Sequence, residues 1–111
     1  MITRNTAVAS LLTALTASYP QLSKGQNITN SDFLSWPEAR QSWWVISGVM
    51  MAGHVTHRRD AAKGSCIWDW YLDAPDERLA QLKGTMRDYP DHLPTGIVIA
   101  WLEKACGSLE D

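Results

Sequence analysis

Residues 36–53 (WPEARQSWWVISGVMMAG) open on a helix-start signal and then stay apolar on nearly every side. Ser35 is placed to cap, Glu38 three residues later completes a capping box, and Pro37 suits the first turn. Trp36, Trp43, Ile46 and Met50 share one stripe, which Trp44, Val45, Val49 and Met51 widen until little polar face remains. A helix of this kind is expected at the centre of a domain, wrapped by other helices. Gly48 sits in its middle at a cost of about 1 kcal/mol relative to Ala, and close approach of a neighbouring helix would account for it.

The rest of the chain supplies those helices. Val8, Leu11, Leu12 and Leu15 follow the i, i+3, i+4, i+7 spacing of an amphipathic helix over residues 3–18, ended by Pro20. The same stretch also has the outline of a weak export signal, with Arg4 ahead of the apolar run from Ala7 to Ala17. Residues 20–31 are rich in turn formers and are expected to be a loop. Residues 54–65 (HVTHRRDAAKGS) are polar and basic, and are expected to be loop or frayed helix. Cys66 to Leu72 is helical or irregular, because a lone strand would have no partner. Asp73 to Glu77 starts another helix, with carboxylates at its positive end, striped by Leu79, Leu82 and Met86 and stopped by Pro90. The last helix starts near Leu93 or Pro94, carries Ile97, Val98, Trp101, Leu102 and Ala105, and stops at Gly107. No strand pattern competes. The expectation is a single all-α domain over residues 1–111, of four to five helices. Its core is built from Leu11, Leu12, Leu15, Trp43, Ile46, Val49, Met50, Leu79, Leu82, Ile97, Trp101 and Leu102.

Composition narrows the function. Ten Lys and Arg against twelve Asp and Glu give a net charge of -2, without the dense basic patch that nucleic acid requires. No apolar run approaches the roughly 18 residues needed to span a bilayer. Neither nucleic acid nor membrane is therefore an expected partner. Six Trp against one Phe is the composition of a chain with aromatic anchors to spare for protein contacts.

Catalytic and metal motifs are sparse. His54 and His57 stand three apart and could meet on one helix face, but no HExxH or CxxC accompanies them, and no metal or other cofactor is expected. Asp69, Asp73, Asp76 and Glu77 are better suited to helix starts than to an acid–base pair, and the chain is not expected to be an enzyme. Cys66 and Cys106 permit one disulfide closing a loop of about 40 residues, worth roughly 4 kcal/mol by loop-closure entropy. Two reduced thiols in a cytosolic protein are the alternative.

Ser42 to Val49 (SWWVISGV), Cys66, the stretch from Leu79 to Pro90 and a helix ending in Cys106 together resemble small helical immunity proteins. That family neutralises the peptidoglycan-amidase effectors of type VI secretion. Ile46-Ser47-Gly48-Val49 matches the family's glycine segment, Tyr89-Pro90-Asp91 its Pro-acidic turn, and Cys106 its closing cysteine. Ser42 stands where the family has a cysteine, and Val45 where it has an aromatic. The resemblance implies a periplasmic, helical, often dimeric inhibitor that binds a toxin or effector enzyme. The alternatives are a small chaperone, of the periplasmic acid-stress or secretion-system type, and a cytosolic phage-type inhibitor. The segment that combines charge for steering with aromatic anchors holds His54, His57, Arg58, Arg59 and Lys63 followed by Trp68 and Trp70, and it is the expected contact region.

Overall fold

The computed structural model describes residues 27–110. The expected first helix, with Leu11, Leu12 and Leu15, lies outside them. The described residues form five helices and no strand: α1 (Asn30–Leu34), α2 (Glu38–His57), α3 (Ala61–Leu72), α4 (Pro75–Asp88) and α5 (Pro94–Cys106). They make one all-α domain. α2 and α3 form a helical hairpin, α1 lies on α4, and α5 closes the domain against α3 and α4.

The helix starts follow from local chemistry, with one correction. Ser35 does not cap α2. The residue before α2 is Pro37, with no side-chain cap, and the capping box stands earlier, between Thr29 and Asp32. That box starts α1 inside the stretch expected to be loop. A helix of five residues is too short to persist alone, and both its ends are held from outside. Asn30 N donates to His92 O at 2.8 Å and Ser31 N to Pro90 O at 3.0 Å, while the Asn30 side-chain amide donates to Tyr89 O at 2.7 Å. At the other end, the buried Gln41 amide donates to Phe33 O at 3.0 Å and to Leu34 O at 3.4 Å. The orphan groups of both termini thus find partners.

α2 runs on through His54 to His57, past the expected stop at Gly53. α3 starts at an N-cap Asp60, whose carboxylate accepts from Lys63 N at 3.0 Å. α4 and α5 carry Pro in the first turn, and α4 adds Asp76 and Glu77 at its positive end. Gly107 ends α5 with φ at +93°, a value other residues adopt only under strain.

The core holds Phe33, Val45, Val49, Ile67, Tyr71, Leu79, Leu82, Met86, Ile97, Val98 and Leu102. Ile46 and Trp101 are half-buried against it. Two expected core residues are outside it. Trp43 is 72% exposed and Met50 41%. α2 buries Gln41, Val45, Val49, Gly53 and Thr56, the side away from the Trp43 stripe. Gly48 is also not at a helix crossing, since a Cβ there would meet nothing within 4 Å. The crossing is at Gly53 and Gly64, where a Cβ on Gly64 would lie 2.7 Å from Gly53 O.

Cys66 and Cys106 are joined by a disulfide, with Cα atoms 5.9 Å apart. It ties α3 to the end of α5. The residues beyond are fastened as well: Lys63 Nζ donates to Ser108 O at 2.6 Å, Arg59 Nη2 to Leu109 O at 2.8 Å, and Leu109 N to Glu103 Oε2 at 3.0 Å.

Candidate functional site

A 20-residue helix that buries only one side presents the other to solvent. At about 100° per residue, Arg40, Trp43, Trp44, Ser47, Gly48, Met50, Met51, His54, Val55 and Arg58 fall within an arc of about 160°. The buried Gln41, Val45, Val49, Gly53 and Thr56 occupy the opposite arc. Trp43 at 72%, Met51 at 66% and Val55 at 50% are the most exposed apolar side chains of the outward arc. Lone exposed apolar residues are ordinary, but several on one arc of one helix make that arc the candidate interaction surface.

Trp43 stands as a ridge between two shallow grooves. One is lined by Arg40, Trp44, Ser47 and Gly48, the other by Ala39, Ser42, Ile46, Tyr71, Pro75 and Asp76. The bare Gly48 backbone widens the first. Arg40 is steadied there by its guanidinium, 4.1 Å from the Trp36 ring centre. Trp36 and Trp44 both pack on Phe33, so α1 fixes the aromatic end of the face.

The expected contact region is divided by the fold. His54 and Arg58 lie on the outward arc of α2 and are exposed. His57 is exposed and stacks on Trp68, with ring centres 5.3 Å apart. Trp68 crosses Gly53 and donates from Nε1 to Met50 O at 3.2 Å, so it works chiefly as a lock between α2 and α3. Arg59 and Lys63 are engaged with the chain's own C-terminal carbonyls. Trp70 faces elsewhere: it stacks on Trp101 at 6.3 Å beneath the Arg78 guanidinium. Trp101 in turn donates to Thr85 Oγ1 at 3.0 Å.

Trp43, Met51 and Val55 did not stand out in the sequence as a contact face. The available signal was the coincidence of Arg40, His54 and Arg58 on the arc that carries them. Cations at both ends of one face of an apolar helix mark that face as wet.

Among the described residues, no three His, Cys, Asp or Glu side chains gather as a metal site. Cys66 is held in the disulfide and offers no thiolate. No helix among the described residues is long and apolar enough to cross a membrane. Comparison with family models, curated proteins and solved structures returns no match for this chain.

Proposed function

We propose that this chain is a non-catalytic protein-binding module of the immunity or inhibitor kind, which works in the periplasm and blocks an effector enzyme one to one. The observation that carries the reading is the outward face of α2, where Trp43, Met51 and Val55 stand in solvent on a helix whose other side is core. Tryptophan exposed on a rigid helix is the typical anchor of a tight protein contact. The Cys66–Cys106 bond suits an oxidising compartment. The resemblance of residues 42–49 and of the Tyr89-Pro90-Asp91 turn to amidase-neutralising immunity proteins supplies the class of target.

The test is co-expression with type VI peptidoglycan-amidase effectors, followed by size exclusion and an amidase turnover assay. A one-to-one complex with turnover abolished is the expected result. Loose binding of many unfolded clients with acid-triggered release would replace the reading with a chaperone. Failure to inhibit any amidase would remove the target class.

A further inference from the structure

The outward arc of α2 is sorted by charge as well as by polarity. Its ionisable side chains are Arg40 at one end and His54 and Arg58 at the other. The single carboxylate of the helix, Glu38, falls on the opposite arc and lines a groove with Asp76, Lys83 and Arg87 of α4. Among the described residues, the side chains of His54 and Arg58 have no hydrogen-bond or ion-pair partner, and the Arg40 side chain is held only by the Trp36 ring. The exposed apolar residues from Trp43 to Val55 thus cover about three turns, with Arg40 before them and Arg58 after them, in a chain whose net charge is -2. Asp76 lies in the groove on the far side of Trp43.

From this arrangement we infer that the outward face of α2 docks an acidic, amphipathic partner surface. The partner supplies an apolar pocket for the Trp43 indole and carboxylates that meet Arg40 at one end and His54 and Arg58 at the other. Complementary charge speeds encounter and fixes register, while the buried indole carries most of the affinity. Gly48 leaves room beside Trp43 and Trp44 for a partner side chain to reach the helix backbone. The inference rests on the protein-binding reading and adds the face and the chemistry it recognises.

The experiment pans a displayed library of randomised 16-residue helical peptides against the immobilised full chain, purified without reductant. The enriched peptides are synthesised and their affinities measured for the chain and for Trp43→Ser, Met51→Lys and the pair Arg40→Glu with Arg58→Glu. The expected peptides pair Leu, Phe or Trp with Asp and Glu. Trp43→Ser and Met51→Lys each weaken binding tenfold or more. The charge-reversed pair weakens it at low salt, and the loss shrinks at high salt. All four residues are exposed, so the urea midpoints of the variants stay close to that of the parent.

Peptides without acidic bias, or indifferent to both Trp43→Ser and Met51→Lys, overturn the inference while leaving protein binding by another face intact. A dimer in sedimentation that Trp43→Ser dissociates assigns the face to a second copy and overturns it too. So does peptide binding that appears only after residues 1–19 are deleted, which would give the face to the chain's own N-terminal segment. Conversely, acidic peptides that bind through Trp43 uphold the inference even if no amidase is inhibited.

Discussion

Trp68 lies across Gly53: a Cβ added to that glycine would come 2.8 Å from indole Cε2 and closer still to other ring atoms. The indole Nε1 is meanwhile tied to Met50 O at 3.2 Å. Trp68 cannot swing away without giving up that bond and its stacking on His57. Gly53→Ala is therefore expected to lower stability by about 1–3 kcal/mol, the usual cost of overpacking. Gly64→Ala is expected to cost more, because its obstacle is backbone rather than a rotatable side chain. Gly48→Ala has the opposite sign. It meets nothing within 4 Å, lies in a helix interior, and should gain about 1 kcal/mol. Urea unfolding of the three variants checks the order, and equal effects at Gly48 and Gly53 would contradict the crossing.

Loss of the disulfide is expected to weaken the fold without changing it. Replacing Cys66 and Cys106 together with Ser opens a loop with a sequence separation of 40 residues, worth about 4 kcal/mol in chain entropy. The end of α5 keeps its other fastenings, through Lys63 to Ser108 and Arg59 to Leu109. The helical circular dichroism should persist while the urea midpoint falls. A midpoint unchanged from the oxidised parent would show that the bond contributes nothing to stability.

The last two helices, α4 and α5, were legible in the sequence because Pro and Gly punctuate them. Pro75, Pro90, Pro94 and Gly107 set boundaries that local sterics enforce regardless of the surroundings. The Cys66–Cys106 pairing was legible for a simpler reason, since two cysteines allow one bond. The orientation of α2 was not. When apolar residues lie all round a helix, periodicity no longer says which side is buried, and Trp43 competes on equal terms with Val45. The structure places the smaller residues Val45, Val49 and Gly53 inward, because α3 crosses closely there and a Trp would not fit. α1 was missed because its stability is tertiary. Its partners are Gln41, in the next helix, and the carbonyls of residues 89–92, which are distant in sequence.

Stability should fall at alkaline pH through Tyr71. Burial pushes its phenol above the ordinary value of 10.0, and the Asp76 carboxylate pushes it the same way. A group whose folded pKa is raised contributes stability that is fully present below the unfolded value and is lost as pH rises through the folded one. The loss therefore begins near pH 10 and continues upward, while neutral pH leaves it untouched. The measurement is a comparison between the parent and a variant that lacks the phenol. The urea midpoint of Tyr71→Phe should decline less steeply above pH 10 than that of the parent. Identical slopes would place the phenol in contact with water.

Trp43 and Val45 sit two residues apart on α2 and should respond in opposite ways to truncation. Val45 is fully buried, and Val45→Ala removes two methyl groups from a packed core. The transfer and cavity costs together come to about 2 kcal/mol. Trp43 is far larger, yet 72% of it faces solvent, so Trp43→Ser should shift stability by no more than about 0.5 kcal/mol. Affinity for a protein partner should show the reverse ranking. Val45→Ala should bind nearly normally below its unfolding temperature, whereas Trp43→Ser should lose most of the affinity. Paired urea and titration curves on the two variants separate the contributions, because a residue retained for packing moves the first curve and a residue retained for contact moves the second. If Trp43→Ser unfolded the protein as Val45→Ala does, the indole would belong to the core, and the outward face of α2 would lose its anchor.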